Sequence, residues 1–131
     1  MKFCFLAFLM GHFAASLSAG EQRLYLAAGD ELAVFQINPA TGNLSPLQNL
    51  PLAGAGPFTR SPDGQHLYAM ASNQKQASMA TFRIMDKGKL RLLNQAPVNL
   101  RAGSLNVDKT GTFITGNHYG PGKITIWNLD G

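Results

Sequence analysis

Short apolar runs, parted by Pro, Gly, Asn and Asp, fill the chain from residue 23 onward. The separators are turn formers: Pro presets φ, Gly supplies φ > 0, and Asp or Asn bonds its own backbone. The pattern predicts strands over 23–29, 32–38, 44–50, 57–60, 66–72, 78–85, 89–95, 104–108, 112–118 and 123–129. In the last of these, Ile124, Ile126 and Asn128 share one face, and Thr125, Trp127 and Leu129 share the other. Most runs are apolar on both faces, as expected of sheets packed between neighbours. No stretch after residue 20 keeps a helical period between caps.

The runs repeat. Leu24-Tyr25-Leu26-Ala27-Ala28 returns as Leu67-Tyr68-Ala69-Met70-Ala71, and more loosely as Thr112-Phe113-Ile114-Thr115-Gly116. Each copy is followed by a second run: Leu32-Ala33-Val34-Phe35, then Met79-Ala80-Thr81-Phe82, then Ile124-Thr125-Ile126-Trp127. The period of about 45 residues is that of one propeller blade. The expected fold is all-β, a partial β-propeller of about two and a half four-stranded antiparallel blades over residues 21–131. Closed propellers hold about four to eight blades. Fewer would leave apolar faces bare, so the chain is expected to be an N-terminal piece whose partners are the missing blades of a parent propeller. A ring of several copies is the alternative.

The first twenty residues follow a different plan. Lys2 precedes the apolar run Phe3–Met10, and the small residues Ala14–Gly20 follow it, as in a secretory signal peptide with a helical apolar segment. The run is too short to span a bilayer, which needs ~20 apolar residues. A periplasmic or secreted location is expected, with no membrane contact after cleavage. The single Cys, at position 4, allows neither an internal disulfide nor a four-cysteine zinc site. Hydrophobic content of 45% excludes a disordered chain, and charged content of 14% excludes a coiled coil. The formal charge of +4 is scattered, so no nucleic-acid partner is expected.

Four segments carry a family resemblance. Asn38-Pro39-Ala40-Thr41-Gly42-Asn43-Leu44 follows a D/N-P-x-T-G-x-L turn. Ser61-Pro62-Asp63-Gly64-Gln65-His66-Leu67-Tyr68 follows S-P-D-G-x-x-L-Y, and Val107-Asp108-Lys109-Thr110-Gly111-Thr112-Phe113 follows V-D-x-T-G-x-F. Asn117-His118-Tyr119-Gly120-Pro121-Gly122-Lys123-Ile124-Thr125-Ile126 is similar to A-N-Y-x-x-G-x-V-x-V, with His118 as the departure. The ordered set resembles the seven-bladed propeller lactonases, which include a 6-phosphogluconolactonase. That resemblance implies hydrolysis of a cyclic ester, such as 6-phosphogluconolactone or another sugar-acid lactone, with no cofactor. The isolated piece would be inactive. A leader fits poorly with a phosphorylated cytoplasmic substrate, which keeps open a non-catalytic exported propeller serving as a binding platform.

Lactone opening needs an activated water and a stabilised oxyanion, and an anionic substrate asks for Arg or Lys. In a propeller these groups come from innermost strands and from loops at one mouth, here 28–32, 53–57, 71–78, 97–104 and 116–123. His118, beside Asn117 and Tyr119 in a Gly-rich loop, is the candidate catalytic base. Arg60, Arg101, Asn117 and Tyr119 are the candidate substrate-binding residues, and Lys75 would add positive field. No group has metal-ligand spacing, and no Ser lies in a G-x-S-x-G setting.

Overall fold

A computed structural model describes residues 21–129. The expected leader and the terminal Asp130-Gly131 lie outside the described residues. Ten strands follow in order: β1 (Gln22–Ala28), β2 (Glu31–Ile37), β3 (Leu44–Pro51), β4 (Phe58–Arg60), β5 (His66–Ser72), β6 (Ala77–Ile84), β7 (Leu90–Val98), β8 (Ser104–Val107), β9 (Phe113–His118) and β10 (Lys123–Asn128). All pairings are antiparallel. They make three sheets, β1-β2-β3, β4-β5-β6-β7 and β8-β9-β10. Only the second sheet has four strands. By the sequence repeat, the first holds strands two to four of a blade and the third holds strands one to three.

The middle sheet is covered on both faces, which explains why β5 has no polar face. Leu67, Ala69 and Ala71 of β5, with Ala80 and Phe82 of β6, pack on Leu32, Val34 and Leu52 of the first sheet and the loop after it. The alternate residues Tyr68, Met70 and Met79 pack on Leu105 and Ile114 of the third and on Ala102 in the loop before it. A period of two thus assigns neighbouring residues of one strand to two interfaces. The repeat extends to irregularities: β2 shifts register between Val34 and Phe35, and β6 shifts between the matching Thr81 and Phe82. Each shift skips one residue of the partner strand, Leu47 of β3 and Leu93 of β7, a β-bulge that bends that edge strand and increases its twist.

One strand departs from expectation. β7 was expected over 89–95 and runs to Val98, because Ala77, Ser78 and Met79 pair with Val98, Pro97 and Ala96. Pro97 is tolerated there because β7 is an edge strand, where a missing N–H breaks no ladder bond. Pro46 and Pro51 occupy the edge strand β3 in the same way.

The turns have the predicted chemistry. In Ser61-Pro62-Asp63-Gly64, Gly64 takes φ +70° and its N–H donates to Ser61 O at 2.9 Å. The Asp108 carboxylate plays the capping part in the next blade. It accepts the Thr110 hydroxyl and the backbone N–H groups of Thr110, Thr112 and Phe113. These bonds, the Thr110 hydroxyl first and the Phe113 N–H next, lower its pKa from 3.8 to about 2. The folded value lies below the unfolded one, so the stabilisation is present above pH 3.8 and is lost as pH falls towards 2. The thermal midpoint is therefore expected to drop over that window, and to drop less in Asp108→Asn. Scanning calorimetry across the window checks this.

Candidate functional site

Strand direction sorts the loops into two ends. The turns after β1, β3, β5, β7 and β9 gather at one end of the sheets, and those after β2, β4, β6 and β8 gather at the other. The first end holds Asp30, Gly54, Gly56, Asn73, Lys75, Arg101, Gly103 and Tyr119. β4 and β8, the innermost strands of the second and third blades, adjoin one another beneath it.

Arg101 lies in the loop that enters β8. Its Nη2 reaches 3.5 Å from Gly54 O, across to the loop that enters β4. Gly56 makes that reach possible: a Cβ there would stand 2.8 Å from the same nitrogen. The Gly56 backbone is in turn fixed, its N–H donating to Met70 O at 2.8 Å. Gly54 N–H donates to the Asp30 carboxylate at 2.8 Å, so the first blade helps to hold the platform. The Gly54 carbonyl contact is long, which leaves the exposed guanidinium free to take an anion from outside.

His118 is the last residue of β9 and is only 3% exposed, rather than standing in an open loop. Pairing explains the burial. His118 shares a face with Ile114 and Gly116, and that face is pressed against the middle sheet. Nδ1 lies 3.0 Å from Arg101 O, and Nε2 lies 2.8 Å from Thr125 Oγ1. The Trp127 ring meets the imidazole edge-on, with centroids 6.3 Å apart. Both ring nitrogens are engaged within the protein, and neither has a lone pair free for a water. This geometry differs from that expected of a general base.

The other candidates separate. Tyr119 is 77% exposed, and its ring lies over Gly103, where a Cβ would come within 2.6 Å of it. Asn117 contributes its backbone, its carbonyl accepting Gly103 N–H at 2.7 Å, while alternation turns its side chain to the face opposite His118. Arg60 is not part of this cluster. It ends β4 at the opposite end of the sheets, against the turn at Gly64, where a Cβ would stand 2.1 Å from the guanidinium. Arg60 there faces Arg23, Tyr25 and Lys87 around a groove of about 320 Å³. Burial raises the Tyr25 pKa, against the lowering exerted by Arg60 and Arg23, and its hydroxyl donates to Gly88 O at 2.9 Å. A larger cleft, about 720 Å³, also opens at this far end, around His66, Asp63 and Thr110. The Asp63 carboxylate is held within its own turn, its pKa lowered by the Ser61 hydroxyl first and the Gln65 N–H next.

Sequence reasoning missed Asp30, Gly56 and Thr125. Ala53-Gly54-Ala55-Gly56 was the available signal, a run of small residues in a mouth loop that marks close approach. Among the described residues, no three His, Cys, Asp or Glu side chains come together, and no helix is long and apolar enough to cross a membrane. Gly56→Ala is expected to leave the fold intact, since its φ is not left-handed, but to push the Arg101 guanidinium aside. A crystal structure of the variant reads that displacement directly.

Comparison with known proteins agrees with this architecture. No protein of curated function matches the chain in sequence. Among solved structures, a candidate 6-phosphogluconolactonase from Bacteroides uniformis superposes with a TM-score of 0.68 at 20% identity, over 79% of this chain and 32% of its own. Its counterpart from Bacteroides fragilis gives 0.60 at 20% identity, over 78% and 33%. A protein from Lactobacillus plantarum gives 0.63 at 19% identity, over 82% and 38%. The chain thus spans about a third of the length of these structures. Residues 9–131 match the family model described as lactonase, 7-bladed beta-propeller, and with three blade-like sheets in sequence order the chain belongs to that lactonase family.

Proposed function

We propose that this chain forms the N-terminal blades of an exported propeller that hydrolyses a sugar-acid lactone, with Arg101 holding the substrate's anionic group at the mouth. Family membership supports the reaction class. The observation that carries the site is the Arg101 guanidinium, laid over Gly54 and Gly56 with one long hydrogen bond, to Gly54 O, among the described residues. Tyr119, exposed beside it, offers a ring and a hydroxyl to the sugar. In this reading Arg60 serves the far end and does not touch the substrate. A carbonyl oxygen that becomes an alkoxide in the tetrahedral intermediate would gain from the same positive charge.

The third sheet supports closure by further blades. Phe113, Ile124 and Ile126 lie on its outer face and are exposed. Their repeat counterparts Tyr68, Met79 and Thr81 lie on the face of the middle sheet that meets the third. The same positions thus await the same kind of neighbour. The leader read at residues 1–20 supports export, and so favours an unphosphorylated lactone carrying a carboxylate.

The test is hydrolysis of a lactone panel by the protein at its natural length, comparing 6-phosphogluconolactone, glucono-1,5-lactone and a muconate-type lactone. Turnover of at least one, weakened in Arg101→Ala, is the expected result. Inertness towards all three would overturn the reading and leave the binding platform.

A further inference from the structure

We infer that His118 is a positioning residue that sets the Arg101 guanidinium through the backbone, and that Gly56 is the cradle into which it is set. The inference rests on the proposed reading of Arg101 as the anion-binding group. A carbonyl oxygen only accepts, so the His118 nitrogen facing Arg101 O must be the donor, and Nδ1 carries the hydrogen. In the neutral ring Nε2 is then the acceptor, and the Thr125 hydroxyl donates to it. Thr125 stands on β10 opposite Gly116, so the chain of bonds runs from β10 through the imidazole to the loop before β8.

The consequence falls on Arg101. Its carbonyl is tied from below, and the next residues are tied too: Ala102 is buried against the middle sheet, and Gly103 N–H donates to Asn117 O. With its backbone fixed at these points, the side chain lies over the Cβ-free surface of Gly56. Releasing the carbonyl lets the loop rotate, and a misplacement of ~1 Å at a charged contact is enough to cost up to about 100-fold in rate. A base role and a positioning role differ in what can replace the ring. Asn carries an amide N–H near the place of Nδ1 but cannot act as a base, whereas Leu supplies neither function.

The experiment measures kcat and KM for the lactone turned over, and binding of that lactone's ring-opened acid by calorimetry, on the protein at its natural length. His118→Asn is expected to stay within about 3-fold of the parent, because one neutral donor is preserved. His118→Leu is expected to raise KM about 10-fold, as Arg101→Ala does, and to add nothing in an Arg101→Ala background. Imidazole ¹⁵N shifts are expected to report the Nδ1-protonated tautomer. Should His118→Leu fail to fold, Gly56→Ala carries the test, with the same 10-fold rise expected. Equal loss in His118→Asn and His118→Leu, with kcat falling and KM unchanged, would overturn positioning in favour of a base. If Arg101→Ala weakens binding but His118→Leu and Gly56→Ala do not, the positioning inference fails while the anion site stands. No effect of Arg101→Ala overturns both.

Discussion

Phe82→Ala is expected to lower the unfolding free energy by about 3–5 kcal/mol. Phe82 is 2% exposed and lies in the core between the first and middle sheets, among Leu32, Val34, Leu67 and Leu90. Its removal combines the lost transfer energy of a ring with a cavity that β6, fixed by its pairing with β5 and β7, cannot close. The control is Ile126→Ala. Ile126 is just as apolar but is 65% exposed on the outer face of the third sheet, and within the described residues it covers nothing. Its substitution is expected to change the unfolding free energy of this chain, read by urea titration, by less than about 0.5 kcal/mol. Similar losses at the two positions would contradict the assignment of inner and outer faces.

Arg101→Ala is expected to reduce kcat/KM towards an anionic lactone by about 30-fold, the equivalent of ~2 kcal/mol for one hydrogen-bonded charge. The loss should appear mostly in KM, since the anionic group is held before and during reaction. Arg101→Lys is expected to recover only part of it. Lysine keeps the charge but lacks the planar fork, and its ammonium is not shaped to lie over Gly56. Arg60→Ala is the comparison, because Arg60 sits at the opposite end of the sheets. A loss there as large as at Arg101 would mean that the substrate enters by the far mouth.

The strands were legible because their boundaries are chemical. Asn38-Pro39, Ser61-Pro62-Asp63-Gly64 and Asp108-Lys109-Thr110-Gly111 can hardly be anything but turns, and the apolar runs between them recur with matching residues. The end of β7 was not legible, because Ala96-Pro97-Val98 reads as a loop, and only pairing with β6 makes it a strand. The site was legible in part. Loop membership at the mouth followed from strand direction, and Arg101, Tyr119 and Lys75 were placed by it. The burial of His118 was not legible, because it depends on the register of β9 with β10 and on the middle sheet pressing against that face. Neither is a local property of Asn117-His118-Tyr119. The strand of Arg60 was legible, and the structure places the residue at the far end of that strand, against Gly64 and away from Arg101.

The placing of the middle sheet between the first and the third, on which both interfaces and the shared mouth depend, is tested most directly by methyl and aromatic NOEs from β5. The account predicts that Leu67 and Ala69 show NOEs to Leu32 and Val34 of the first sheet, whereas Met70 shows them to Leu105 and Ile114 of the third. NOEs from Leu67 and Met70 to one and the same sheet would contradict it.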